Sequence, residues 1–252
     1  MNELSPNGRF AGALRIARYN WPFYAIAAGV VVVAGTLAAQ PSLALGIRMV
    51  AGVAAVVAGW FALSSLAAAH WVFDRSPLTS WRWLAGALSR PPSRWVHVSA
   101  GLEETSAPLG EIFPAAEGRV LDIFDADAMT EPAIARARRM TRGVPAERAR
   151  VDALPVEDGW ADAIFLLLTA HEIRKIEGRD AFFAEIARIL SPSGRVVLVE
   201  HLRDAWNAVA FGPGFFHFFP RREWLRTAAQ ARLRVETEYR ITPFVRVFVL
   251  ER

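Results

Sequence analysis

Two long apolar runs near the start of the chain constrain its fold more than any other feature. The first extends from Trp21 to Ala39 and the second from Met49 to Ala69, and neither contains a charged residue. Each has the ~20 residues that a helix needs to cross a hydrocarbon core of ~30 Å. Both runs are apolar on all sides, as lipid-facing helices are. We therefore predict two transmembrane helices that form a hairpin within residues 21–72.

The placement of arginine predicts the orientation of this hairpin. Three arginines precede the first run, four follow the second and one lies between them: Arg9, Arg15, Arg18, Arg75, Arg82, Arg90, Arg94 and Arg48. Basic residues concentrate in cytoplasmic loops, so both ends of the hairpin should lie in the cytoplasm. We expect a multi-pass protein of a bacterial-type inner membrane, with residues 1–20 as a cytoplasmic segment and residues 73–94 as a juxtamembrane helix and linker.

Two alternatives to the hairpin remain open. The tripeptide Thr36-Leu37-Ala38 has the small-x-small pattern of a signal-peptide cleavage site, although the apolar run is longer than the ~7–15 residues usual for such peptides. The second run could instead be a buried core helix.

Composition excludes several other classes of protein. The 252 residues include no cysteine, so the chain has no disulfide, thiolate metal site or catalytic thiol. Charged residues make up 21% of the chain, a fraction typical of folded domains, and this excludes a disordered protein. The net charge is +4, but no block of five or more basic residues occurs. We therefore expect no nucleic-acid partner.

Strand-like and helix-like segments alternate from Trp95 onward. The predicted strands are Trp95–Ala100, Gly118–Phe124, a short strand ending at Val151, Asp162–Leu168, Arg195–Val199, Arg232–Tyr239 and Phe244–Glu251. The predicted helices are Ser76–Arg90, Glu103–Phe113, Thr130–Arg142, Asp180–Leu190 and Glu223–Ala231. This alternation indicates an α/β domain over residues 95–252, with a mostly parallel sheet and a final antiparallel pair. Ligands bind such sheets beyond the carboxyl ends of the strands.

The motifs of this domain follow a familiar order. The turn Asp152-Ala153-Leu154-Pro155 precedes a strand that starts at Asp162, and a helix ending at Leu190 leads through Ser191-Pro192-Ser193-Gly194 into another strand. Over residues 95–252 the chain resembles class I S-adenosylmethionine-dependent methyltransferases, and more closely their ubiquinone/menaquinone-biosynthesis type. The resemblance implies a Rossmann-like, mostly parallel seven-stranded sheet with an antiparallel last strand, and S-adenosylmethionine as the cofactor.

The resemblance also implies a cofactor site. The loop after the first strand keeps one glycine, Gly101, which would let the backbone approach the ligand. Thr105 or Ser106 would lie near the methionine carboxylate, and Glu103 and Glu104 could hold the amino group of the ligand. The other implied contacts are with the adenine and the methyl end of the cofactor: Met129, Asp152, Ala153 and Thr169.

An acidic residue after the second strand should bind the ribose hydroxyls, because a carboxylate offers two acceptor oxygens to a vicinal diol. Asp125 is the best match, with Asp122 and Asp127 as alternatives. These acids could instead cap the helix that begins near Thr130.

Methyl transfer requires an aligned donor and acceptor, and a base only where the acceptor must lose a proton. In the family, the segment after the fourth strand borders the transferable methyl, so His171 is predicted to orient the acceptor or act as the general base. Glu172 could orient His171 or shape a polar pocket, and His201 is a second candidate. We predict no metal site, because no HExxH-like spacing links these residues and His217.

The aromatic segment Phe211–Pro220 could cover an apolar acceptor, dip into the bilayer interface or pack in the core. Taken together, the sequence predicts a membrane-anchored methyltransferase that acts on a small, apolar or lipid-like acceptor, with the lipid bilayer as its partner. The alternative is a catalytically degenerate relative that serves as a binding or assembly module. The sequence determines neither the acceptor nor the oligomeric state.

Overall fold

A computed structural model describes residues 8–101, 105–140 and 145–252. The chain forms two compact units, each defined by the contacts among its own residues. The first, the helical unit, comprises the residues up to Ser76 together with Asp204–Phe215. The second, the sheet unit, comprises Pro77–Arg203 and Phe216–Arg252. The segment Asp204–Phe215 therefore belongs to the helical unit, although it falls inside the predicted domain 95–252.

The described residues form nine α-helices and seven strands. The helices are α1 (Ala11–Tyr19), α2 (Trp21–Ala39), α3 (Leu45–His70), α4 (Leu84–Ala87), α5 (Ser106–Ile112), α6 (Pro132–Met140), α7 (Ile176–Ile189), α8 (Ala205–Phe211) and α9 (Arg221–Gln230). The strands are β1 (Arg94–Ser99), β2 (Glu117–Asp122), β3 (Glu147–Arg148), β4 (Ala161–Leu167), β5 (Leu190–His201), β6 (Arg234–Thr242) and β7 (Val245–Glu251).

Helices α2 and α3 form an antiparallel pair that contains the two apolar runs. Both are long and apolar enough to cross a membrane, and few of their side chains are buried within the protein. Val32, Val50, Val56 and Leu63, for example, are each more than 60% exposed. The Nε atom of Arg48 in α3 donates to the carbonyl of Ala38 across the link, at 3.0 Å. The pair thus presents an apolar surface on nearly all sides.

Asp74 attaches the first helix to the end of α3. Its carboxylate accepts the backbone N–H groups of Gly12 and Ala13, at 2.6 and 3.0 Å, and contacts Nδ1 of His70 at 2.9 Å. These N–H groups lie in the first turn of α1, where a helix has no internal partners for its donors. A Cβ at Gly12 would lie only 2.6 Å from Cβ of Phe73, so the close approach of the two segments requires glycine.

Helix α8 packs on α3 within the helical unit. The hydroxyl of Ser64 donates to the carbonyl of Ala210 at 2.9 Å, and Nε1 of Trp60 donates to the carbonyl of Val209 at 3.2 Å. Gly212 ends α8 with a φ of +52°, and a Cβ there would fall within 2.6 Å of the Phe61 ring. Because of these contacts, Asp204–Phe215 belongs to the helical unit.

The strands of the sheet unit form one sheet in the order β3-β2-β1-β4-β5-β7-β6. Strands β1 to β5 are parallel, and β7 is antiparallel to both β5 and β6. The predicted mostly parallel, seven-stranded sheet with an antiparallel last strand is confirmed. The order of strands reverses between β1 and β4, which is the point where sheets of this kind bind ligands.

The central strands of the sheet are apolar and buried. Strands β4 and β5 contain the near-continuous apolar runs AIFLL and VVLV, and these side chains are buried, as expected for central parallel strands covered on both faces. Helix α7 places Phe182, Phe183, Ile186 and Ile189 against the sheet. The carboxylate of Asp162, at the start of β4, accepts backbone N–H groups of Ser93 and Arg94 at 3.1 Å each.

Two local predictions are wrong. The segment predicted as the helix Ser76–Arg90 contains a 3-10 turn at Leu78–Ser80 and only the four-residue helix α4, because Trp81 adopts a left-handed φ of +54° between them. The predicted turn Ser191–Gly194 is instead the irregular beginning of β5. A Cβ at Gly194 would lie 2.9 Å from the carbonyl oxygen of Ala161, so this glycine permits close strand pairing.

Arg179 of α7 connects several elements of the sheet unit. The side chain is buried, and its guanidinium donates to the carbonyls of Ile173 and Arg174 at 2.8 and 2.7 Å. It also pairs with Glu223 of α9 at 2.5 Å and lies 3.9 Å from the centre of the Phe219 ring. The segment that follows β4 is therefore held to both α7 and α9.

We expect Arg179→Met to lower the free energy of unfolding by about 3 kcal/mol, because the carbonyls of Ile173 and Arg174 lose a charged, buried donor, whereas Glu223 keeps its ion pair with Arg226. The midpoint of thermal unfolding should then fall by roughly 6 °C or more, measured by circular dichroism on the detergent-solubilised chain. Arg222→Met, at an exposed position of α9, is the matched control and should change stability by no more than about 0.5 kcal/mol. Equal losses in the two variants would contradict this role of Arg179.

Candidate functional site

The chain turns sharply as it leaves β4. Leu168 has a φ of +54°, a left-handed conformation that non-glycine residues seldom adopt, and its N–H donates to the carbonyl of Val199 in β5 at 2.9 Å. A single 3-10 turn, Ala170–Glu172, follows. Strained backbone of this kind is concentrated at functional sites. The turn places His171 beside the carboxyl end of β5.

Glu200 and His171 form a buried pair at that end of the sheet. The Glu200 side chain has no exposed surface. Its Oε1 accepts the backbone N–H of His171 at 3.2 Å, and its Oε2 lies 2.7 Å from Nδ1 of the same residue. A buried carboxylate costs several kcal/mol unless it is paired. The pair also fixes the orientation of the imidazole ring, with Nε2 facing away from Glu200.

Glu172, His217 and Glu131 extend this pair to a cluster of five residues, which we call the histidine–glutamate cluster. Nε2 of His171 lies 3.5 Å from Oε1 of Glu172, and Nε2 of His217 lies 3.8 Å from Oε2 of the same carboxylate. Nδ1 of His217 lies 3.5 Å from Oε1 of Glu131. The two imidazole rings are nearly perpendicular, with centroids 5.1 Å apart.

The charges in this cluster shift the pKa values of its members. Burial by itself would lower the pKa of His171, but the charge of Glu200 and the contacts with both carboxylates outweigh it and raise the pKa to about 10. Burial would raise the pKa of Glu172, but its contacts with His171 and His217 hold that pKa well below its usual range. A histidine with so high a pKa keeps its proton at neutral pH, which favours orienting an acceptor over acting as a base.

Two arginines hold the loop that carries His217. Nη1 of Arg174 donates to the carbonyl of His217 at 2.6 Å. Nη2 and Nε of Arg203 donate to the carbonyls of Phe216 and Phe218, at 2.7 and 2.8 Å. The position of the His217 side chain is therefore supported by its neighbours on both sides.

The three aspartates at the end of β2 and just beyond it have different surroundings. Asp122 forms a two-pronged ion pair with Arg138 at 2.8 and 2.6 Å, and Nη1 of Arg138 also donates to the carbonyl of Ala100 at 2.9 Å. Asp125 and Asp127 are exposed, and Oδ1 of Asp125 accepts the N–H of Asp127 at 2.9 Å. Because Asp122 is engaged by Arg138, Asp125 and Asp127 are the acids open to a ribose, and the assignment to Asp125 stays a prediction.

Asp152 and Ala153 lie in a tight turn beyond β3. The Asp152 carboxylate pairs with Arg150 at 2.9 and 2.7 Å, and these hydrogen bonds hold the pKa of Asp152 below its usual value. The N–H of Ala153 donates to the carbonyl of Arg150 at 3.3 Å and closes the turn. Asp152 is exposed, and its contact with an adenine stays a prediction.

Gly101 and Thr169 follow β1 and β4, and Thr105 directly precedes α5. A Cβ added to Gly101 would make only an ordinary contact with Ile134, at 3.5 Å, so the surrounding protein does not itself require glycine there. Thr105 and Thr169 are buried, and the hydroxyl of Thr169 donates to the carbonyl of Leu167 at 3.1 Å.

The last three predicted cofactor residues are Met129, Glu103 and Glu104. Met129 is buried in the hydrophobic core of the sheet unit, so its contact with adenine stays a prediction. Glu103 and Glu104 lie outside the described residues.

His201 ends β5 but is not part of the histidine–glutamate cluster. Its Nδ1 lies 2.9 Å from the carbonyl oxygen of Phe244, and its ring stacks on Phe218 with centroids 5.0 Å apart. These contacts are those of a packed side chain, and a catalytic role for His201 stays a prediction.

Sequence reasoning missed three residues of the site: Glu200, Glu131 and Arg138. A signal for Glu200 was present, because it is an acid that directly follows the apolar run RVVLV at the end of a predicted strand. Glu131 and Arg138 carry no such signal, since each meets its partner only through the fold.

A family model described as a methyltransferase domain matches residues 105–198, the stretch from α5 to within β5. This stretch contains Asp125, Asp152, His171 and Glu172. No curated protein matches the chain at a significant level.

Solved structures share the fold at low sequence identity. A SAM-dependent methyltransferase from Aquifex aeolicus is 15% identical with a TM-score of 0.51, over 70% of this chain and 93% of that one. The PH0226 protein from Pyrococcus horikoshii OT3 is 14% identical with a TM-score of 0.50, over 69% and 88%. The mitomycin 7-O-methyltransferase MmcR is 15% identical with a TM-score of 0.53, over 99% and 73%. The chain thus has the α/β fold of the class I methyltransferases.

Proposed function

We propose that this chain is a membrane-anchored S-adenosylmethionine-dependent methyltransferase that acts on a small, apolar or lipid-like acceptor. One observation carries the proposal. Asp125 follows β2, Asp152 follows β3 and His171 follows β4. These polar residues thus lie beyond the carboxyl ends of parallel strands, on both sides of the switch point between β1 and β4. The stretch that matches the methyltransferase domain contains all three.

S-adenosylmethionine is the cofactor that the sequence predicted. The matched domain model and the neighbour named a SAM-dependent methyltransferase imply the same cofactor. In our proposal, Gly101 lies against the methionine end, Asp125 binds the ribose, and Asp152 with Ala153 borders the adenine. The Asp125 carboxylate is exposed and can accept hydrogen bonds from a ligand, and Asp152 is exposed with its carboxylate paired to Arg150.

The acceptor lies beside the histidine–glutamate cluster in this proposal. Glu200 holds the imidazole of His171 in one orientation, and Glu172 is the next polar group. Methyl transfer from a sulfonium is an in-line displacement, so rigid positioning of the acceptor supplies much of the catalysis. The ubiquinone/menaquinone-biosynthesis type of the family favours an apolar acceptor.

Two features support anchoring in a membrane. Helices α2 and α3 are long enough to span a bilayer and leave large apolar side chains exposed. Helix α8 belongs to the same helical unit and exposes Trp206 and Val209, each by 56%. Tryptophan is enriched where proteins meet the membrane interface. We propose that the hairpin spans the bacterial inner membrane, with the sheet unit in the cytoplasm.

One observation favours the second candidate function, a degenerate relative that binds or assembles without transferring methyl groups. The guanidinium of Arg138 pairs with Asp122 and donates to the Ala100 carbonyl, at the carboxyl ends of β1 and β2. It also lies 4.2 Å from the centre of the Phe124 ring. A cation held there occupies part of the edge where a nucleoside would bind.

Titration with S-adenosylmethionine separates these two functions. We expect the full chain in detergent to bind the cofactor and, given an acceptor, to release S-adenosylhomocysteine. Asp125→Asn should weaken binding by about 10–100-fold, because a hydrogen bond to a charged group contributes about 1.5–3 kcal/mol. Calorimetry or equilibrium dialysis measures the change.

Asp158→Asn is the matched control, since Asp158 is an exposed carboxylate on the loop before β4 and pairs only at the surface with Arg188. Its affinity for the cofactor should equal that of the unchanged chain. Absence of binding in the millimolar range would contradict the methyltransferase function. Binding that is unaffected by Asp125→Asn would contradict the assignment of that residue.

The absence of cysteine allows a direct test of membrane topology. We expect Ser42→Cys, in the link between α2 and α3, to react with a membrane-impermeant maleimide when the reagent reaches only the outer face of the inner membrane. Thr237→Cys, on the edge strand β6, should react only after the membrane is opened. Both side chains are exposed, so accessibility within the protein is matched. The reverse labelling pattern would contradict the orientation, and release of the protein by alkaline carbonate would contradict spanning.

A further inference from the structure

Three ligand atoms of the histidine–glutamate cluster surround one point in space. They come from His171, Glu172 and His217, and all lie within 4.8 Å of one another. The two Nε2–carboxylate separations are 3.5 and 3.8 Å. These are longer than ordinary hydrogen bonds of about 2.7–3.2 Å. Two ligands held about 2.0–2.2 Å from a common zinc-like ion lie about 3.0–3.5 Å apart, so separations of up to 4.8 Å must close by roughly 1 Å when an ion binds.

The orientation of both histidines is the second observation. Both present Nε2 to Glu172; Nδ1 of His217 only faces Glu131, at 3.5 Å, whereas Nδ1 of His171 is hydrogen-bonded to Glu200 at 2.7 Å. Histidines that bind metals are usually held in this way, with the second ring nitrogen bonded to a carboxylate that fixes the tautomer and the ring orientation. A pair of histidines oriented alike toward one carboxylate is therefore the arrangement of a metal site.

The support around the cluster is the third observation. Glu200 is fully buried at the end of β5, and the left-handed turn at Leu168 fixes the segment that carries His171 and Glu172. Arg174 and Arg203 hold the backbone on both sides of His217. The ligands are thus positioned by groups other than the ion itself, as a site formed before metal binding requires.

We propose that His171, Glu172 and His217 bind one divalent transition-metal ion through two imidazole nitrogens and one carboxylate. Imidazole ligands suit zinc and iron, whereas sites for magnesium and calcium are built from oxygen ligands. Three protein ligands leave coordination positions open to a substrate atom or water. No short sequence motif joins these residues, because His217 lies 45 residues or more from the other two ligands in the chain.

This inference stands apart from the proposed function, because it rests on geometry that is present whether or not the chain transfers methyl groups. It does affect the role of His171. To bind an ion, His171 must release the Nε2 proton that it otherwise keeps at neutral pH, so with an ion bound it can neither donate to an acceptor nor act as a general base.

The test uses the full chain, purified in detergent through a tag without histidine, stripped with chelator and then dialysed against Zn²⁺. Elemental mass spectrometry should find one zinc per chain. His171→Ala and His217→Ala should each reduce zinc to background, whereas His201→Ala, at a histidine outside the cluster, should retain it. Circular dichroism confirms that the variants are folded.

Glu200→Gln gives a second readout, because it leaves all three ligands in place. Loss of such a supporting carboxylate typically weakens metal binding by about 10–100-fold, which a zinc titration with a competing chromophoric chelator measures. Zinc at background in the unchanged chain, or equal loss in His201→Ala, would overturn the proposal. Failure here leaves cofactor binding intact, so it is distinguishable from failure of the proposed function.

Discussion

The arrangement of the candidate site depends on the burial of one carboxylate. Glu200 lies at the end of a central strand with no exposed surface on its side chain. A charge in such a place is tolerated only if a partner satisfies it, and His171 provides both a backbone N–H and an imidazole nitrogen. This requirement fixes the path of the chain after β4 and the orientation of the His171 ring. Glu172 and His217 take their places relative to that ring.

Most of the architecture could be predicted from the sequence. The apolar runs of α2, α3, β4 and β5 have lengths and flanking residues that identify them without knowledge of the fold. The exceptions are local. Trp81 interrupts a helix-like pattern because its backbone is left-handed, and Gly194 lies within a strand because only glycine permits the close pairing there. Neither constraint can be recognised from the residues next to it.

The site was less predictable than the fold. His171 and Glu172 could be found because they follow a recognisable strand. Their contacts with His217 and Glu131 could not, because these two residues come from distant segments and meet the others only in three dimensions. The same holds for Arg138, whose pairing with Asp122 changes which acid is open to a ribose. Segment Asp204–Phe215 is a further case, since its contacts with α3 depend on Ser64 and Phe61, far away in sequence.

The decisive measurement is a structure of the full chain with S-adenosylhomocysteine bound. We expect the nucleoside to lie across the carboxyl ends of β1, β2 and β3, with its ribose on Asp125 and its sulfur facing His171. If the Arg138 side chain still bridges Asp122 and Ala100 and no nucleoside occupies that edge at saturating ligand, the methyltransferase account is contradicted.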